Sequence, residues 1–179
     1  MAKIVLFVTV VYYKCKIDNL VMPIFQRKRF RGNLLWRAVA SGLGLGFAPV
    51  APGTFGSLLA LPLWFWGGGT GPVHYCALAG VLLLSVPSAH VEIRETGRRD
   101  PPSVVIDEVA GMLLAATGIP WGWRPVLLLF LLFRFFDIVK FGPAAWADKR
   151  EGAVYVVADD LVAGVYANLA YRGIVWLTG

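Results

Sequence analysis

Cysteine and histidine are almost missing from this chain, two of each in 179 residues. Cys15 and Cys76 show no Cys-x-x-Cys spacing and have no neighbouring histidine. That excludes a disulfide framework, a zinc site and a Cys/His nucleophile. His74 and His90 lie in no Arg- or Ser-bearing motif, and His90 closes an apolar run, which suits an interfacial position. Charge is scarce too, at 16% of residues, against roughly 25% in an average soluble domain. Acids are the scarcest near the start, where Asp18 is the only one in residues 1–91, beside eight Lys/Arg. The net charge of +6 thus reflects a basic end rather than a stripe interleaved with exposed aromatics. That pattern suits anionic lipid and excludes the common nucleic-acid modules. There is no internal repeat, no low-complexity tract and no Gly-Lys-Ser/Thr phosphate loop.

What is present is hydrocarbon. The chain is 58% hydrophobic with a mean hydropathy of +0.66. The composition points to a small integral membrane protein, the alternative being a soluble helical domain with a greasy interior. Residues 4–13 form an apolar run too short to span and without a small-residue cleavage site. Met22 opens a stretch that reads as a natural start, so 1–21 is expected to be an extension or leader. Residues 22–39 read as a basic amphipathic segment, and 40–179 as a single helical membrane domain. Residues 40–57, ASGLGLGFAPVAPGTFGS, hold five glycines and two prolines, which favours a loop with exposed backbone N–H groups. Five apolar segments follow: Thr54–Trp66, Pro72–Ala89, Ser103–Ile119, Pro125–Phe141 and Ala153–Thr178. The fold class is therefore all-α, a small polytopic bundle of about five membrane-associated helices with an N-terminal Gly/Pro-rich loop.

The connections alternate in charge. The N-terminal segment is basic, GGGTGP is neutral, and the next connection carries Arg94, Arg98 and Arg99. The third has only Arg124, flanked by Trp121 and Trp123, and the fourth has Lys149 and Arg150. Basic loops face the cytoplasm, so the N-terminus is expected inside and the C-terminus outside. The first segment is the shortest and has the character of a re-entrant one.

Five acids lie in or beside the most apolar runs: Asp107 and Glu108 in VVIDEVAGMLLAATG, Asp137 in LLLFLLFRFFDIVKF, Asp159 and Asp160 in AVYVVADDLVAGVYA. A carboxylate beside hydrocarbon is costly unless paired, hydrated or bound to a cation. The expected topology puts all five, with the Gly-rich loop, at one membrane face. One shared metal site is the simplest account. Pairing with Arg134 and Lys140 is the alternative, as is a salt-bridged stripe in which Arg134, Asp137 and Lys140 follow one another at i, i+3, i+6. Gly111 and Gly164 beside the acids would let helices approach closely. Asn168 reads as a packing hydrogen bond. Thr54 reads either as a phosphate contact or as the N-cap of the first helix.

Four blocks, GLGLGFAPVAPGTFGSLLALP, VVIDEVAGMLL, FRFFDIVK and VVADDLVAGVYA, in that order, resemble the phosphatidylglycerophosphatase A family over roughly residues 40–170. Two local departures are Phe141 where the family has proline and a single glycine, Gly152, before the paired aspartates. The resemblance implies a bacterial Mg²⁺-dependent phosphatase of the inner membrane, with its site facing the cytoplasm. It would remove the terminal phosphate of phosphatidylglycerophosphate and leave phosphatidylglycerol. Magnesium takes oxygen ligands, and Glu108, Asp137, Asp159 and Asp160 are the candidate donors. Asp107, Glu108 and Asp160 are the candidate catalytic acids, with Asp107 also open to a nucleophilic role. Gly53, Thr54, Arg134 and Lys140 are the candidate phosphate contacts. A small ion-coupled transporter using the same acids is the rival, but its polar groups would have to run through the midplane.

Overall fold

The computed structural model describes residues 34–178. The expected leader 1–21 and most of the basic segment 22–39 lie outside the described residues. Within them are seven α-helices and no strand. They are α1 (Leu34–Ala40), α2 (Pro52–Gly67), α3 (Pro72–Thr96), α4 (Ile106–Ala116), α5 (Trp123–Val139), α6 (Pro143–Asp148) and α7 (Ala153–Thr178). A 3-10 turn, Leu45–Phe47, interrupts the Gly-rich loop. Prolines open α2, α3 and α6, where a missing N–H costs nothing. Gly68 and Gly97, both left-handed, close α2 and α3.

All five apolar segments form helices, but only α3 and α7 are long and apolar enough to cross a membrane. Thus the expectation of about five spans was loose. The largest difference is α4, whose 11 residues reach only about 16 Å, half a typical ~30 Å hydrocarbon layer. Nine of those residues are buried, because α4 is packed by α2, α3, α5 and α7 on all sides. A helix that stops inside apolar surroundings must satisfy its last carbonyls internally. Asn168 of α7 does so, donating from Nδ2 to Ala115 O (2.7 Å) and Thr117 O (2.8 Å). Arg172 adds a bond to Thr117 O, and Trp64 Nε1 donates to Ile119 O at 3.0 Å.

The contact between α4 and α7 is made through glycine. A Cβ built on Gly164 would stand 2.3 Å from Gly111 O, and one on Gly111 would stand 2.6 Å from Asp160 O. Main chain therefore touches main chain beside the acids, as the small residues suggested. The helices alternate in direction. Gly53 at the start of α2 meets Glu108 at the start of α4, while Gly69 beyond α2 accepts from Gly118 N beyond α4. The starts of α2 and α4, the end of α5 and the first half of α7 consequently share one end of the bundle.

Candidate active site

Asp107, Glu108 and Asp160 converge at that end. Each offers a carboxylate oxygen, and these oxygens lie within 4.8 Å of one another. Asp107 and Asp160 are buried, and Glu108 Oε2 is buried with no hydrogen-bond partner. Like charges this close in an apolar setting repel strongly unless a cation or protons intervene. A local bond from each first acid to the next backbone N–H holds both pairs of acids in place. Asp107 Oδ1 accepts from Glu108 N at 3.1 Å, and Asp159 Oδ1 accepts from Asp160 N at 3.0 Å. In both pairs the first acid bonds the second one's backbone; Asp107 and Glu108 then converge on the cluster, whereas Asp159 turns to Lys140 and only Asp160 joins it.

The expected metal donors divide. Glu108 and Asp160 are in the cluster; Asp137 and Asp159 are ion-paired instead. Arg134 Nη1 lies 2.8 Å from Asp137 Oδ2, three residues on in the same helix. Lys140 donates to both Asp159 Oδ2 and Asp148 Oδ1. Burial works against the Lys140 ammonium, but Asp159 and Asp148 outweigh it and hold its proton well above the ordinary lysine range. Asp137 still adds its negative field at Glu108 and Asp160. Asp107 takes the third place in the cluster, which its neighbours in sequence gave no means of choosing.

The start of α2 closes the other side. A Cβ on Gly53 would fall 2.2 Å from Glu108 Oε1 and 3.2 Å from Arg134 Nη1, so Gly53, Glu108 and Arg134 meet at one point. Thr54 is not the N-cap. Ala51 holds that position, and Thr54 N donates to its carbonyl at 2.9 Å. The helix starts two residues earlier than expected because Pro52 is pre-set for its first turn. Ser57, fully buried, donates to Gly53 O at 2.9 Å and lies 3.5 Å from Arg134 Nη1. It ties α2 to α5, and one hydroxyl in a Gly-rich block carried no signal of that.

A second polar group went unread altogether. Glu92 of α3 is fully buried. It accepts from Arg37 Nε at 2.8 Å, Arg37 Nη2 at 3.2 Å and Ser103 Oγ at 2.7 Å. In sequence it sits within a basic connection and looks like a surface acid. His74 is buried at the opposite end, with Nε2 near Leu113 O and Thr117 Oγ1.

Comparison with known proteins gives the family. A family model described as phosphatidylglycerophosphatase A matches residues 38–175. A phosphatidylglycerophosphatase A of Escherichia coli (strain K12) is 32% identical over 161 residues, covering 86% of this chain and 88% of its own length. Another, from Haemophilus influenzae, is 33% identical over 141 residues, 72% of this chain and 82% of its own. A Bacteroides thetaiotaomicron protein with the provisional name phosphatidylinositol-3-phosphatase is 32% identical over 157 residues, 79% of this chain and 94% of its own. No solved structure matches. The chain belongs to the phosphatidylglycerophosphatase A family, and so is a phosphoric monoester hydrolase.

Proposed function

We propose that this protein hydrolyses the terminal phosphate of phosphatidylglycerophosphate, giving phosphatidylglycerol and inorganic phosphate in glycerophospholipid synthesis, and that it needs Mg²⁺. The observation that carries the reading is the Asp107–Glu108–Asp160 cluster with its unpartnered buried Glu108 oxygen. An all-oxygen donor set of this charge suits magnesium. Glu108 and Asp160, with Asp107 beside them, would hold the ion, and Asp137 and Asp159 would shape the field around it. Bound there, Mg²⁺ supplies positive charge to the phosphoryl oxygens.

The chain's own groups do the rest. The Gly53 amide, the Thr54 hydroxyl and Arg134 receive the phosphoryl oxygens at the start of α2. Asp160 takes the proton of the attacking water as the new P–O bond forms. The bond to the lipid glycerol oxygen breaks, and that oxygen leaves with the proton that Asp160 has taken. Lys140, paired with Asp159 and Asp148, braces α5 against α7. The protein is placed in the bacterial inner membrane as a multi-pass chain, with this end on the cytoplasmic side.

Purified protein in detergent is the test, with phosphatidylglycerophosphate as substrate and phosphate release as the readout. Release should require Mg²⁺ and stop with EDTA. Glu108→Gln and Asp160→Asn should each lower kcat by at least about a hundredfold while the protein stays folded by circular dichroism. Metal-independent release, or full activity in both variants, would overturn the mechanism.

A further inference from the structure

Glu92 touches none of the site residues, yet it joins the two segments that deliver them. Taking the Glu92 carboxylate wholly out of water, against an Arg37 side chain that stays partly exposed, costs several kcal/mol of desolvation, and an apolar residue of similar size often serves stability as well. Stability alone is therefore a poor account of a carboxylate at this position. Its geometry supplies another. Arg37 belongs to α1, which runs into the Gly-rich loop and so to Gly53. Ser103 lies four residues ahead of Asp107 in the segment that becomes α4. Glu92 accepts from both, with Oε1 shared between Arg37 Nη2 and Ser103 Oγ.

The same two segments are stitched together by backbone. Val105 N donates to Ala40 O at 2.8 Å, and a Cβ on Gly46 would lie 2.2 Å from Ser103 O. At the far end of each, Gly53 and Glu108 meet. The contacts thus form a closed ring: Glu92 to Arg37, along α1 and the loop to Gly53, across to Glu108, and back through Ser103 to Glu92. Resting on the metal-site reading above, we infer that Glu92 and Ser103 are positioning residues. The bond between them fixes the start of α4 so that Asp107 and Glu108 reach the cation with Asp160.

Mn²⁺ binding to the full-length protein in detergent, followed by electron paramagnetic resonance without substrate, separates this from a purely structural role. Ser103→Ala keeps the Arg37–Glu92 pair and removes only the link to α4. It should weaken Mn²⁺ binding about tenfold, the low end of what groups orienting metal ligands are worth. kcat should fall with it, while KM for the lipid stays within about twofold. In a Glu92→Gln background, Ser103→Ala should cost less than it does alone, because the two act along one path. Thr96→Ala is the control: its hydroxyl donates to the backbone carbonyl of Glu92 at 2.7 Å, not to the carboxylate. It should leave Mn²⁺ binding unchanged.

Wild-type Mn²⁺ affinity in Ser103→Ala, or equal weakening in Thr96→Ala, would overturn the inference. A wild type that hydrolyses the lipid but binds no Mn²⁺ would remove the metal reading and this inference together. Failure to hydrolyse the lipid would count against the proposed activity alone, since binding is read without substrate.

Discussion

A methyl group at Gly53 and one at Gly164 would meet different obstacles. At Gly53 it would press on Glu108 Oε1, the end of a flexible side chain. The side chain moves and the fold survives, but a carboxylate shifted by about 1 Å costs on the order of a hundredfold in rate. Gly53→Ala should therefore be folded and nearly inactive in the phosphate-release assay. At Gly164 the obstacle is Gly111 main chain, which cannot yield without separating α4 from α7. Gly164→Ala should lose about 1–3 kcal/mol of stability, read as a lower midpoint in thermal unfolding. At this scale the sequence was partly legible. Acids in hydrocarbon announce themselves by composition, and Arg134–Asp137 follows from spacing along one helix. The choice of Asp107 over Asp137 and Asp159 depends on helix rotation and, for Asp159, on Lys140 arriving from another helix. The burial of Glu92 likewise depends on its partner Arg37, 55 positions away.

Among the elements, α4 departs furthest from its reading in sequence. Its apolar run was long enough to suggest a span, since hydropathy counts residues whether or not they are helical. The chain spends Ser103–Val105 on the end of a turn and one backbone bond from Val105 N to Ala40 O of α1, and ends the helix at Ala116. What makes so short a helix tolerable is Asn168, whose amide meets the carbonyls of Ala115 and Thr117. Asn168→Leu would leave Ala115 O without that donor in apolar surroundings. The expected cost is about 1–3 kcal/mol, again measured by thermal unfolding. Some activity should survive, because the loss falls at the end of α4 away from the acids. The helices of the other four apolar segments were legible in type and order, whereas the short α6 was not read from the sequence. Prolines and glycines mark most of the ends of those four, and among them only the boundaries moved.

For the whole molecule, the alternation of helix direction predicts a sidedness that chemistry can read. Thr70 is exposed in the turn between α2 and α3, and Glu95 is exposed near the end of α3. In a chain with Cys15 and Cys76 replaced by serine, Thr70→Cys should react with an impermeant thiol reagent added outside intact spheroplasts. Glu95→Cys should react only after the membrane is opened. The reverse pattern would turn the active end outward. The basic connections carry the same expectation, since loop charge follows which side each helix end faces, and the labelling tests it.

The glycine contact between α4 and α7 has a mechanical consequence. Bilayers differ in thickness, and helices respond by tilting. Two helices held through side chains can slide as those side chains change rotamer; two held backbone to backbone have no such slack. Asp107 and Glu108 on one, and Asp160 on the other, should therefore ride together when the surrounding lipid thickens or thins. The gap between them would act as a caliper locked at one setting, which lets the same site work in membranes of changing composition.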